Sequence, residues 1–301
     1  MTISICYAQE NSVSEELLIM NDSIHLQGVL TYKNDQNPQA LAIFIQGSGN
    51  PDKNGNQLGM NIKANYIKQL AEALLEQDIA MFRYDKRNVP EVNHKIVLKH
   101  YVFDDLVDDV KTIIEHFKGD KRFDQIVLIG HSQGSLVGML AIEAGADRYI
   151  SLAGLSKSAD EAIVWQISKQ NEGLSQVAAE HFKELKETGK IDSINPLLYS
   201  IFNPTNNKFF KNYIKYNPVE EIGRIKIPTL IINGNMDLQV SAEDAEALHH
   251  ALPDAEFKII SKMNHVLKHL ESDEDNMQSY YTEDYPVSPE LVEVIAKFIK
   301  D

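Results

Sequence analysis

Seven short β-rich runs constrain this chain more than any other feature: "HLQGVLTY", "ALAIFIQ", "IAMFRYD", "QIVLIGH", "RYISLAG", "PTLIING" and "EFKIIS". Several hold a continuous apolar stretch instead of alternating, as in parallel strands covered on both faces. Helical patterns lie between them. Across 61–78, Ile67, Leu70, Ala71, Leu74 and Leu75 repeat at the spacing of one buried helical face. "SAED" at 241–244 reads as a capping box, and "SPEL" at 288–291 puts Ser288 at a helix cap with Pro289 behind it. Alternating strands and helices predict an α/β fold with a mostly parallel central sheet and helices on both faces. The alternation breaks once: residues 155–217 hold helix-like and aromatic-rich stretches without a strand. We expect these to be an inserted helical cap, leaving 12–154 and 218–301 as the core.

At 301 residues and 43% hydrophobic content the chain can bury a large core. A formal charge of -15 and a pI near 5.1 argue against nucleic acid, whose phosphates demand clustered Lys and Arg. The single cysteine, Cys6, allows neither an intrachain disulfide nor a thiolate metal cluster. No apolar run approaches the roughly 18 residues that span a bilayer. The start, "MTISICYAQE", holds a small-x-small pattern at Cys6-Tyr7-Ala8. Residues 1–11 are therefore expected to be a tail or the remnant of a signal peptide. As written the chain would be cytoplasmic; if Met1 is internal to a longer signal it would be periplasmic or secreted.

"IGHSQG" at 129–134 sets Ser132 between glycines, after an apolar strand and before the helical run "SLVGMLAIEAG". A serine hydroxyl needs a base to take its proton and a tight strand-to-helix turn to stand clear of its own backbone. Ser132 is the candidate nucleophile. An acid and a base should follow in that order, each after a later strand. Asp237 follows "PTLIING" and His265 follows "EFKIIS"; the acidic rivals Glu243 and Asp244 fall in the next helix. His265 and His269 also stand four apart, but without an intervening glutamate or a third ligand no metal is expected. An oxyanion needs waiting donors: the backbone N–H of Gln133, and that of Ser48, or else Gly49, in "IFIQGSGN".

These residues resemble the α/β-hydrolase superfamily, and within it a bacterial carboxylesterase-like group related to the serine aminopeptidase and monoacylglycerol lipase branch. The resemblance rests on "QGSGNPDKNGN" (46–56), "RYDKR" (83–87), "GHSQG" (130–134), "SLAG" (151–154), "GNMDLQV" (234–240) and "MNHVLK" (263–268). It implies the α/β-hydrolase fold, with Ser132 as nucleophile, Asp237 as orienting acid and His265 as general base. The chain departs from the group at Asn88-Val89-Pro90-Glu91, where a glycine-rich turn is usual, and at Ser135, where a second glycine is usual. Gln46 stands where other branches carry histidine.

The expected function is hydrolysis of small-molecule carboxylic esters, short to medium in acyl chain, through an acyl-enzyme and with no cofactor. Trp165, Phe202 and Phe209, with Tyr199, Phe210, Tyr213 and Tyr216, are candidate lining for an acyl pocket under the cap. The same triad serves aminopeptidases, thioesterases and acyltransferases, and a binding module without catalysis is a further alternative. An aminopeptidase would want carboxylates near the site, for which Glu161 and Glu172 are available. Asp104, Asp105, Asp108 and Asp109 read as the solvated face of a helix, and Arg83, Asp85, Lys86 and Arg87 either brace the oxyanion loop or lie on the surface.

Overall fold

The computed structural model describes residues 12–34, 37–57 and 59–301; the expectation for residues 1–11, Cys6 included, lies outside the described residues. One sheet holds β1 (Ser12–Asn21), β2 (Ile24–Lys33), β3 (Gln39–Ile45), β4 (Ala80–Tyr84), β5 (Phe123–His131), β6 (Arg148–Leu152), β7 (Thr229–Gly234) and β8 (Glu256–Ile260). Their order across the sheet is β1-β2-β4-β3-β5-β6-β7-β8. The first two strands pair antiparallel, β2 meets β4 antiparallel, and every pairing from β4 to β8 is parallel.

The helices are α1 (Tyr66–Glu76), α2 (His94–Val97), α3 (Asp104–Phe117), α4 (Gln133–Ala141), α5 (Ala159–Ser168), α6 (Glu172–Thr188), α7 (Tyr199–Phe202), α8 (Asn207–Tyr213), α9 (Pro218–Ile222), α10 (Ala242–Ala251), α11 (Asn276–Ser279) and α12 (Pro289–Lys300). Among the described residues no helix is long and apolar enough to cross a membrane. Strand β3 shows why the runs carry no alternation. Leu41, Ile43 and Ile45 face a core shared with α3 and α4, while Ala42 and Phe44 face a second core shared with α1 and α12. All five are buried, so each face demands apolar side chains.

The capping box forms as the sequence predicts, Ser241 with Asp244 opening α10, and Ser288 caps α12 ahead of Pro289. Strand β1 is the element the apolar runs leave out. At the sheet edge it keeps one face in solvent, so "SVSEELLIMN" mixes acids with exposed Leu18 and Met20. Between β6 and β7 the chain forms α5 to α9, and part of this segment gathers its own apolar cluster of Ala178, Phe182, Leu185, Leu198 and Phe202.

Candidate active site

The turn from β5 into α4 forces Ser132 to φ 55° and ψ -122°, a left-handed backbone that a residue with a Cβ adopts only under constraint from its surroundings. The constraint is visible: Ser132 N–H donates to the Leu152 carbonyl at 3.0 Å, and its own carbonyl accepts from Ser135 N–H at 3.0 Å. Close packing of the new helix against β3 explains Gly134, where an added Cβ would stand 2.2 Å from the Ile45 carbonyl oxygen. Ser135, the departure from the motif, is buried with its hydroxyl 2.8 Å from both the Tyr149 hydroxyl and Ser151 Oγ. A glycine would take that partner from Ser151 Oγ, while the Tyr149 hydroxyl would keep its 2.8 Å bond to the carbonyl of residue 135.

The loop after β7 presents Asp237, whose side chain is fully buried. Its Oδ1 accepts the backbone N–H groups of Gln239 at 2.7 Å and Val240 at 2.9 Å. Its Oδ2 lies 2.7 Å from His265 Nδ1. A carboxylate only accepts, so His265 Nδ1 carries the proton and Nε2 keeps a free lone pair. The loop that carries His265 is anchored by groups the sequence reading did not single out. Buried Asn264 donates to Asn276 Oδ1 at 3.1 Å and Ser279 Oγ at 2.7 Å. Completely buried Lys268 donates to Gln69 Oε1 at 2.6 Å and the Tyr285 carbonyl at 2.8 Å.

His131 holds the same loop from the nucleophile side: its Nε2 donates to the His265 carbonyl at 2.8 Å, and the two rings lie 4.8 Å apart. Ser132 and His265 thus sit on neighbouring turns; among the described residues no hydrogen bond joins the Ser132 hydroxyl to His265. Such contacts commonly tighten only when substrate binds.

Burial, with the adjacent His265, pulls the His131 imidazole down to about 3. In the unfolded chain a histidine titrates near 6.5. Between those values the unfolded chain binds a proton that the native chain refuses, so this stabilisation is complete above about pH 6.5 and drains away as pH falls toward 3. Thermal melts from pH 7 to 4 are expected to show His131→Asn losing less stability than the parent, by a few kcal/mol; parallel loss in both would contradict that account.

Gln46, Gly47 and Ser48 follow β3. An added Cβ on Gly47 would lie 3.0 Å from Ser132 Cβ, so this backbone runs directly against the candidate nucleophile. Residues Arg83 to Arg87 hold the loop or the helix behind it. Asp85 accepts from Lys53 N–H at 2.8 Å and Lys53 Nζ at 3.0 Å, and Arg83 donates to the Lys53 carbonyl at 3.4 Å and to Asn54. Gln46 donates to the Tyr84 carbonyl. Lys86 is buried, with Nζ 2.8 Å from both the Gly47 carbonyl and Gln133 Oε1; burial pushes it down to about 7.

The acidic helix face is not uniformly solvated. Asp109 is buried and takes Arg87 in a two-pronged pair at 2.7 and 2.8 Å, with Asp105 at 3.2 Å from the same guanidinium. Asp104 binds Asn212 and Lys215, each at 2.9 Å, and Tyr216 at 2.6 Å, tying α3 to the helical segment. Only Asp108 is largely exposed.

A cavity of about 990 Å³ opens over Ser48, Gln133 and Lys86 and continues beneath α5, α7 and α8. Phe209 lines it, as do Phe210 and Tyr213. Phe202 does not: it is completely buried inside the segment's own apolar cluster, packed on Phe182. Trp165 does not either, lying between the ammonium groups of Lys157 and Lys169 at 5.6 and 4.8 Å. Ser48, Gly49 and Gln133 all border the cavity.

The family model described as "Serine aminopeptidase, S33" matches residues 58–197, a stretch that contains Ser132 and ends before Asp237. "Esterase EstD" of Thermotoga maritima is 26% identical over 242 residues, 80% of this chain; the match spans 56% of that esterase's length. Est1E from Butyrivibrio proteoclasticus superposes with a TM-score of 0.58 at 16% identity, covering 95% of this chain and 99% of its own. The Pyrococcus furiosus esterase Pf2001 gives 0.59 at 16% identity, covering 96% and 92%.

Proposed function

Since this chain has the α/β-hydrolase fold, with an eight-stranded, mostly parallel sheet flanked by helices, we propose that it is a serine hydrolase of carboxylic esters working through Ser132, His265 and Asp237. The observation that carries the reading is the 2.7 Å Asp237–His265 bond beside a serine held at φ 55°. His265 Nε2 takes the Ser132 proton as Oγ attacks the ester carbonyl, and Asp237 stabilises the imidazolium that forms. The N–H groups of Ser48 and Gln133 receive the oxyanion. Collapse expels the alcohol with the proton from His265, and water repeats the cycle on the acyl-enzyme. The helical segment over the cavity acts as a cap that selects the substrate.

The cavity favours esters over aminoacyl substrates. Acidic residues make up 44 of the chain's 301, yet among the described residues no carboxylate lines the cavity, while Lys86, Lys99 and Lys208 do. A free α-amine would meet these ammonium groups there and, among the described residues, no carboxylate to offset them. Glu161 closes the capping box of α5 and Glu172 opens α6; neither lines the cavity.

The test is a panel of p-nitrophenyl butyrate, octanoate and the suberate half-ester, which matches octanoate in length but ends in a carboxylate, beside alanine p-nitroanilide and an acyl thioester. The butyrate and octanoate are expected to turn over, the half-ester to match octanoate within about tenfold, and the anilide to lag by about 10²-fold or more in kcat/KM, a gap of at least roughly 3 kcal/mol. Faster turnover of the anilide than of any ester would overturn the reading in favour of a peptidase.

A further inference from the structure

We infer that Lys86 is a positioning residue for the oxyanion hole, holding the peptide that carries the Ser48 N–H and tying it to the side chain of Gln133. The inference rests on the reading of Ser132 as nucleophile. A trans peptide is planar, with its carbonyl and N–H pointing in opposite directions. The Gly47 carbonyl and the Ser48 N–H belong to one such plane. Lys86 Nζ grips that carbonyl at 2.8 Å, so the Ser48 N–H is turned away from Lys86. Gly47 packs against Ser132, so this plane borders the place where the tetrahedral oxygen forms.

The same Nζ donates to Gln133 Oε1 at 2.8 Å, and Gln133, the first residue of α4, offers the other N–H. The two donors come from different parts of the chain, one after β3 and one after β5, and Lys86 joins the peptide that carries the first to the side chain of the residue that carries the second.

The clamp answers a specific hazard. Gly47 has no Cβ to restrict rotation of its peptide, and a flip would present a carbonyl oxygen where a donor is needed. An amide that must reorient during the reaction stabilises the transition state less than one fixed beforehand.

Packing alone does not account for the residue. Lys86 is 4% exposed and pairs with no carboxylate among the described residues. Burying its nitrogen is costly, and a methionine would fill similar volume without that cost. Burial pushes the group down to about 7. The ammonium and the neutral amine both have the two N–H bonds that Gly47 and Gln133 require, so the clamp persists across neutral pH.

The experiment compares the parent with Lys86→Met and Lys86→Gln, using p-nitrophenyl butyrate, a trifluoromethyl ketone whose serine adduct carries an oxyanion, and thermal melting. Lys86→Met is expected to lower kcat by about 10²-fold, the scale of losing one oxyanion donor, with KM within about threefold. Affinity for the ketone should fall by a similar factor, while the melting temperature holds or rises. Lys86→Gln, which keeps one short donor, should fall between the two and serves if the methionine variant does not fold. A folded variant, either one, with kcat and ketone affinity within about threefold of the parent would overturn the proposal, as would ketone affinity unchanged while kcat and melting temperature fall together. Parent activity that survives Ser132→Ala would instead overturn the nucleophile reading beneath it.

Discussion

Ser132→Ala is expected to lower kcat for p-nitrophenyl butyrate by about 10⁵- to 10⁶-fold, the scale seen when a triad serine is removed elsewhere. The loss should be that large because the three groups act as a unit. Without the hydroxyl, His265 and Asp237 still hold their 2.7 Å bond but have no nucleophile to activate. KM should change little, since the cavity proposed to take the acyl chain is lined by other residues. The residue sits at a strained φ of 55°, which alanine tolerates no worse than serine, so the melting temperature should hold. A steady-state assay with a melt on the same preparation separates loss of chemistry from loss of fold.

The largest stability effect is expected from Asp109→Ala. Asp109 is 1% exposed and accepts from Arg87 Nε at 2.7 Å, Arg87 Nη2 at 2.8 Å and Asn21 Nδ2 at 2.8 Å. Removing it leaves a buried guanidinium with Asp105 as its one carboxylate partner among the described residues. Breaking a buried pair in this way costs roughly 3–5 kcal/mol, or a drop in melting temperature of roughly 5–8 °C for a chain of this size. Asp108→Ala, one residue earlier with a side chain 63% exposed, should fall within about 0.5 kcal/mol of the parent. Equal melts for the two variants would show that the pair does not stabilise the fold.

That contrast also marks what could be read before the fold was known. The run "FDDLVDDV" presents four chemically equivalent aspartates, and only the partner brought in by "DKR" separates buried Asp109 from exposed Asp108. Lys86 is hidden for the same reason: inside a charged run nothing local distinguishes a buried lysine from a solvated one. The aromatic residues between β6 and β7 show the converse. Phe202, Phe209 and Trp165 are alike in sequence, yet one fills the segment's own core, one lines the cavity and one lies between two lysines. Strand β1 escaped because a half-exposed edge strand need not be apolar throughout.

The positions of Ser132, Asp237 and His265 after β5, β7 and β8 were legible because apolar runs followed by small or polar residues mark strand ends from sequence alone. Ser48 and Gln133 could be placed as neighbours of strand ends, but not the contact of Lys86 with the Gly47 carbonyl and the Gln133 side chain, which comes from a residue about forty positions away along the chain.

The most direct test of the account is covalent. Parent and Ser132→Ala proteins would be treated with a fluorophosphonate, which phosphonylates an activated serine, and digested for peptide mass spectrometry. The account predicts one adduct per chain in the parent, on Ser132, and none in the variant. An adduct on another residue, or labelling that persists in Ser132→Ala, would contradict it.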